Sequence, residues 1–171
     1  MNLPKLFELQ RQLDAHIEKE HPREPGEDRL AKKILALQVE LGELANELPE
    51  VFKFWSHKKN NYERALKEYV DCLHFILSIG LEMNVDPTEI RGIYERGSVI
   101  EQFNAVFDCV SRFWNRVDRG FSYDEQMEWY VWICKSFIVL GHMLGFTWEQ
   151  IEEAYLKKNA ENHRRQDSGV Y

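Results

Sequence analysis

Two pairs of acidic residues, three positions apart within each pair, are the feature of this sequence best suited to chemistry. The first acidic pair is Glu40 and Glu43, and the second acidic pair, further along the chain, is Glu68 and Asp71. Side chains three positions apart share one face of an α-helix. Two such helices packed side by side therefore bring four carboxylates together. Carboxylate oxygens, without nitrogen or sulfur ligands, are the donors that Mg²⁺ and Mn²⁺ prefer.

The acids lie beside the apolar stripe of their helices rather than opposite to it. On a helical wheel the core leucines of the first helix fall within about 40° of Leu37, and the first acidic pair falls only about 60° to 120° away. The second acidic pair shares a face with Phe75 in a segment that is apolar nearly all round. Because a buried carboxylate without a partner costs several kcal/mol, these positions predict a bound cation.

A divalent ion held by carboxylates indicates phosphoryl or pyrophosphoryl chemistry. Mg²⁺ retains water ligands and bridges phosphate oxygens, so it offsets charge and activates a water nucleophile. The residues alone leave an alternative open, because acid pairs at this spacing are also common on helix faces that are solvated or salt-bridged.

The elements that must position these acids are helices, since helical periodicity dominates and strand signals are almost absent. Asp28 is suited to cap the second helix, and Ser122 with Glu125 to form a capping box. Pro87, directly after Asp86, marks another helix start. The predicted helices lie near residues 4–20, 28–48, 61–84, 87–97, 99–118, 123–145 and 147–163. The predicted fold class is therefore an all-α helical bundle with short loops.

An internal similarity emerges when segment 79–94 is laid over segment 140–155. In this register the matched positions include Gly80 with Gly141, Tyr94 with Tyr155, Glu40 with Glu101, Glu68 with Trp129 and Asp71 with Trp132. We hypothesise a duplicated helical unit whose second copy lost its acids and became structural. Chance similarity between two amphipathic helix pairs is the alternative.

The totals indicate a single domain, residues 1–171. With 171 residues, 44% of them hydrophobic, the chain can bury a substantial core. We divide the domain into a metal-binding half (28–97), a degenerate structural half (98–163) and a mobile tail (164–171).

Charge and cysteine usage exclude several classes of protein. The formal net charge of −7 argues against binding of nucleic acid or an anionic membrane. The sequence shows no signal peptide, and no apolar stretch reaches the ~18 residues of a transmembrane helix. The three cysteines lie apart in apolar segments, as expected of reduced core thiols. We therefore expect a cytoplasmic protein.

The two acidic pairs, in this order and spacing, resemble the signature of the all-α nucleoside triphosphate pyrophosphatases. Within that superfamily the chain is most similar to the dimeric dUTPases. The segments that carry this resemblance are ELGELANE (40–47), FKFWS (52–56), DCLHFILSIG (71–80) and AYLKKNAENHRRQDSGVY (154–171). The resemblance implies Mg²⁺-dependent hydrolysis of dUTP, and of dUDP, with metal-activated water attacking the α-phosphate of dUTP to give dUMP and pyrophosphate. It also implies a homodimer whose active site is buried between the subunits.

The resemblance also assigns roles to the acids. Glu40, Glu43, Glu68 and Asp71 match the family's metal ligands, with more than one ion in each site. Glu40 is expected to orient and deprotonate the attacking water, and Glu43 to bridge the metal ions.

Residues near the C-terminus match the family's phosphate-binding segment. Lys158, Asn162 and Arg165 lie at i, i+4 and i+7, on one helical face. They are expected to bind the triphosphate, although cations at this end of a helix also stabilise its dipole. From the family pattern, Tyr171 and the tail before it are expected to close over the nucleotide, with a disordered tail as the alternative.

Four further residues are expected to contact the base and sugar. Gln10 and Asp14 occupy positions where the family places a Gln and often an Asn, so Asp14 departs from the pattern. Trp55 would contact the uracil, although aromatic residues are more often core, and Phe75 would line the deoxyribose. His74 lies on another side of its helix and is expected to be a polar or interface histidine.

Three alternatives remain open at this point. The chain could be a pyrophosphatase for another nucleotide such as dCTP. It could be a dUTPase-like protein that also binds a phage-type repressor through segment 98–125. It could also be a helical scaffold without catalytic activity.

Overall fold

The computed structural model describes residues 2–169, and these residues form seven α-helices and one short 3₁₀ turn without any β-strand. The helices are α1 (Leu3–Glu20), α2 (Arg29–Asn46), α3 (Pro49–Phe52), α4 (Tyr62–Glu82), α5 (Val99–Asp118), α6 (Tyr123–Met143) and α7 (Trp148–Ser168). The predicted all-α fold is confirmed.

The bundle is built from two long helix pairs, α2 with α4 and α5 with α6, and α1 and α7 pack against α4. The leucine stripe of α2, which includes Leu37, Leu41 and Leu44, is buried against α4. None of the described helices is by itself long and apolar enough to cross a membrane; α6 and α7 pass that test only when joined across their 110° bend.

Helix starts follow the predicted caps. The Asp28 side chain accepts a hydrogen bond from the Ala31 backbone N–H, and Ser122 with Glu125 forms the predicted capping box. These caps satisfy backbone donors that a helix leaves free in its first turn. They therefore set where α2 and α6 begin.

The predicted helix over 87–97 is wrong. Only Pro87–Glu89 forms a 3₁₀ turn, and the following residues run in an irregular path to α5. The side chain of Gln102, which is buried, donates to the Tyr94 carbonyl and accepts from the Arg96 N–H. These bonds replace the ones that a helix would supply to the same backbone groups.

The end of α7 also differs from the prediction. The helix continues through residues 164–168, which we assigned to a mobile tail, and ends at Ser168 with Gly169 in a left-handed conformation (φ 64°). A left-handed glycine is a common end for an α-helix.

Helices α4 and α6 contact each other through a reciprocal pair of tyrosines. The Tyr69 hydroxyl donates to the Phe137 carbonyl at 3.1 Å, and the Tyr130 hydroxyl donates to the Ile76 carbonyl at 3.0 Å. The register that lays 79–94 over 140–155 also matches Tyr69 with Tyr130 and Ile76 with Phe137.

The glycines matched in the same register make these contacts possible. A Cβ at Gly80 would overlap the Tyr130 hydroxyl, and a Cβ at Gly141 would overlap that of Tyr69. This reciprocity relates α4 to α6 only, because the same register lays the irregular residues 90–94 over residues 151–155 of α7. The register does not extend to α2 and α5, because it would place the counterpart of α2 at 90–107 whereas α5 begins at Val99.

Candidate active site

A cavity of about 530 Å³ opens between α1, α2, α4 and α7. It is lined by most of the residues for which the sequence predicted a functional role. Those residues are Gln10, Asp14, Glu40, Asp71, Phe75, Lys158, Asn162 and Arg165.

Three carboxylates from the two predicted acidic pairs converge beside this cavity. Glu40 on α2, and Glu68 and Asp71 on α4, each offer an oxygen, and these oxygens lie within 4.8 Å of one another. All three side chains are half-buried. The packing of α2 on α4 brings them together, because each lies next to the buried stripe of its helix.

Burial, together with nearby negative charge, disfavours ionisation of these carboxyls. Burial, followed by the negative charges of Asp71, Glu43 and Glu68, raises the pKa of Glu40 to about 7. Burial also raises the pKa of Glu68 and, despite the nearby Lys158 ammonium, the pKa of Asp71. A cation among these groups would stabilise their ionised forms.

The cluster fits a hard divalent cation. Its donors are all carboxylate oxygens, which suits Mg²⁺ or Mn²⁺ better than zinc. Within residues 2–169, no other group of three or more histidine, cysteine or acidic residues brings its ligand atoms this close. Glu40, Glu68 and Asp71 would hold the ion.

Glu43, the fourth predicted ligand, lies outside this group. Its side chain is exposed, at the rim of the cluster, although its charge contributes to the raised pKa of Glu40 and of Glu68. The structure therefore brings three of the four predicted ligands together.

Asp71 forms an ion pair with a basic residue that the neighbouring sequence did not predict. The Lys158 ammonium from α7 lies 2.7 Å from a carboxylate oxygen of Asp71. Both side chains are mostly buried. Lys158 thus connects the acidic cluster to the rest of the predicted phosphate-binding face of α7, where Arg165 forms an ion pair with Glu161.

Gln10 and Asp14 lie together in the cavity wall formed by α1 and contact α4. The Gln10 amide nitrogen donates to one carboxylate oxygen of Asp14 at 2.7 Å. Ser78 donates its hydroxyl to the other oxygen at 2.6 Å, and the Lys33 ammonium lies 3.6 Å from it. The carboxylate at position 14 is therefore held by donors on two sides.

The expectation for His74 is wrong, because this residue lies in the cavity wall rather than on another side of α4. Its Nδ1 atom is 2.7 Å from the Gln10 side-chain oxygen, and its ring stacks on that of Tyr155. Asp71, His74 and Ser78 are spaced at i, i+3 and i+7, so helical periodicity contained the signal that places His74 on the cavity face.

Three predicted residues within the described part of the chain, Glu43, Glu68 and Trp55, do not line the cavity itself. Trp55 lies in the loop after α3, with its side chain 65% exposed, and does not line the cavity. Tyr171 lies outside the described residues.

Comparison with known proteins identifies the class to which this fold and site belong. A family model described as dUTPase matches residues 2–170, nearly the whole chain. A comparison with curated proteins finds no match. The chain belongs to this dUTPase family, of the all-α type, and is a dUTP diphosphatase.

Proposed function

We propose that the chain hydrolyses dUTP to dUMP and pyrophosphate in a Mg²⁺-dependent reaction, with water attacking the α-phosphate, and that it also accepts dUDP. The observation that carries this proposal is the convergence of Glu40, Glu68 and Asp71 beside the cavity. Bound among these carboxylates, Mg²⁺ would offset the charge of the phosphates and acidify the attacking water.

Glu40 is the residue that we assign to the attacking water. It faces the cavity, and burial and its acidic neighbours bring its pKa to about 7. With a cation bound among its acidic neighbours the Glu40 carboxyl would be ionised, and an ionised carboxylate can accept a proton from water. Glu68 and Asp71, with Glu40, would hold the cation, and Glu43 lies close enough to influence both glutamates electrostatically.

The phosphates are proposed to bind along α7. Lys158, Asn162 and Arg165 all line the cavity from this helix. Two cations supply the charge-assisted hydrogen bonds that phosphate oxygens favour. Lys158 would exchange its contact with Asp71 for one with a phosphate oxygen when nucleotide and cation enter.

A homodimer is part of the proposal. Leu35 and Val39, one turn apart on α2, are 63% and 51% exposed, and Phe54 is 95% exposed in the loop beside Trp55. Exposed apolar residues of this kind are typical of surfaces that bind another subunit. Pairing of these surfaces would give Trp55 a place at the interface.

The direct test is incubation with each deoxynucleoside triphosphate, with and without Mg²⁺, and identification of the products. We expect dUMP and pyrophosphate from dUTP only when Mg²⁺ is present. Faster turnover of dCTP than of dUTP would contradict the proposed substrate, and release of orthophosphate would contradict attack at the α-phosphate.

A further inference from the structure

We infer that His74 and Tyr155 are positioning residues for base recognition, which hold the Gln10 side-chain amide so that its N–H groups, not its oxygen, face the ligand and Asp14. This inference rests on the proposed function, because it concerns how the same cavity distinguishes one pyrimidine from another. The sequence resemblance assigned neither residue to the site.

The orientation of Gln10 follows from its three hydrogen bonds. Its oxygen lies 2.7 Å from His74 Nδ1 and 2.8 Å from the Tyr155 hydroxyl, and its nitrogen lies 2.7 Å from an Asp14 oxygen. An ionised carboxylate only accepts hydrogen bonds, so the atom of Gln10 that faces Asp14 must be the nitrogen. The oxygen must then receive both remaining hydrogen bonds.

His74 is consequently restricted to one tautomer. Because the Gln10 oxygen can only accept, His74 must carry its proton on Nδ1. Its Nε2 atom is buried and has no hydrogen-bond partner among the described residues. The imidazole is 6% exposed, and burial lowers its pKa to about 3, so it stays neutral.

Tyr155 provides the second donor from a different helix. Its hydroxyl is fully buried and its ring stacks on that of His74, with the ring centroids 4.2 Å apart. Donors from α4 and α7 thus hold one atom of α1 from two directions. Gln10 itself is only 3% exposed and lines the cavity, so most of its side chain is held by protein partners.

This network presents a donor beside an acceptor to the cavity. One N–H of Gln10 bonds to Asp14, and its second N–H has no assigned partner within residues 2–169. Asp14 retains lone pairs that accept further hydrogen bonds. A carbonyl next to a ring N–H, as in uracil, matches this pair of groups.

Cytosine does not match the pair, because its N3 atom carries no hydrogen and would meet the Asp14 carboxylate acceptor to acceptor. A Gln10 amide with its oxygen and nitrogen exchanged would instead present two acceptors side by side. The positioning by His74 and Tyr155 therefore contributes to selectivity for dUTP over dCTP.

The test is a double-variant cycle between Tyr155→Phe and Gln10→Met in the full-length enzyme, with Tyr130→Phe as the matched control. Tyr130 also donates a buried hydroxyl to a helix, at Ile76, but does not line the cavity. We expect Tyr155→Phe to raise KM for dUTP roughly fivefold to tenfold with kcat within about twofold. The preference for dUTP over dCTP should fall by a similar factor, whereas Tyr130→Phe should lower Tm without changing that preference.

In the Gln10→Met background the effect of Tyr155→Phe on KM should shrink to less than about twofold, because the two residues act through one contact. An effect of unchanged size in that background would overturn the inference. His74→Leu should raise KM for dUTP and lower the preference for dUTP over dCTP as Tyr155→Phe does. His74→Asn, whose amide can replace the Nδ1 donor, should restore that preference.

The tautomer of His74 can be measured without any turnover, so this test does not depend on the proposed function. Long-range ¹H–¹⁵N NMR of the wild-type protein should show His74 as the Nδ1–H tautomer. An Nε2–H tautomer would overturn the positioning role, whatever the enzyme hydrolyses. Absence of turnover with every nucleotide would instead contradict the proposed function alone.

Discussion

Glu40 is the residue on which the proposed chemistry depends most. Replacing it with glutamine keeps its size but removes the base, so we expect Glu40→Gln to lower kcat for dUTP by roughly 10³-fold or more. Circular dichroism and Tm should remain close to wild type. The matched control is Glu63→Gln, since Glu63 is 84% exposed and pairs only with Lys67 on the surface. Near-normal turnover by Glu40→Gln would contradict the assignment.

The raised pKa of Glu40 makes the stability of the metal-free protein depend on pH. Its folded-state pKa, about 7, lies above the ordinary value of 4.5. The folded state therefore holds this proton more tightly, and the resulting stabilisation is complete below about pH 4.5 and lost as pH rises through 7. The Glu40→Gln variant cannot ionise at this position, so it does not lose that stabilisation at high pH. In EDTA it should be more stable than wild type by about 1 kcal/mol at pH 8, a value reduced for solvent screening.

Urea denaturation at several pH values checks this expectation. The stability difference between Glu40→Gln and wild type should vanish near pH 4.5. A difference that stays constant between pH 4.5 and 8 would show that Glu40 titrates normally in the folded protein.

The sequence allowed the positions of some site residues to be predicted, but not those of others. Glu40, Glu68 and Asp71 were predictable because helical periodicity puts them beside a leucine stripe. The Lys158 partner of Asp71 was not, because it comes from a helix 87 residues further along the chain. No local pattern encodes which helix of a bundle packs against which face.

Among the helices, the close approach of α4 and α6 requires glycine. A Cβ at Gly80 would overlap both Tyr130 and Phe7, so we expect Gly80→Ala to destabilise the fold by about 2–4 kcal/mol. The matched control is Gly42→Ala in α2, where a Cβ meets nothing within 4 Å. That change should stabilise the fold by about 0.5–1 kcal/mol, because alanine favours helix. Equal Tm values for the two variants would contradict the packing of α4 on α6.

Helix boundaries were predictable where a cap is encoded locally and not where a distant side chain decides. Asp28 and the capping box at Ser122 were recognisable from a few neighbouring residues. The path after Pro87 was not, because it depends on Gln102 of α5, whose side-chain amide bonds to Tyr94 and Arg96 and also to the Ser136 carbonyl of α6.

At the scale of the whole molecule, the exposed apolar face of α2 predicts assembly. Light scattering should give a particle of twice the 20.4 kDa chain mass. Replacing Leu35 and Val39 with lysine should give a monomer with reduced dUTP turnover, because like charges at the contact prevent association. Ile93→Lys, at an equally exposed position on the loop after the 3₁₀ turn, should remain dimeric. A wild-type monomer with full activity would contradict the dimer.

The cavity as a whole joins two groups of residues, the carboxylates and cations around Asp71 and the network of Gln10 and Asp14. Because Glu40 is proposed to direct water to the α-phosphate of dUTP, the oxygen atom of that water should end in dUMP. Hydrolysis of dUTP in H₂¹⁸O with Mg²⁺, followed by mass spectrometry of both products, tests it most directly. We expect ¹⁸O in dUMP and none in pyrophosphate, with label incorporation abolished in Glu40→Gln. Label in pyrophosphate, or unchanged incorporation by Glu40→Gln, would contradict it.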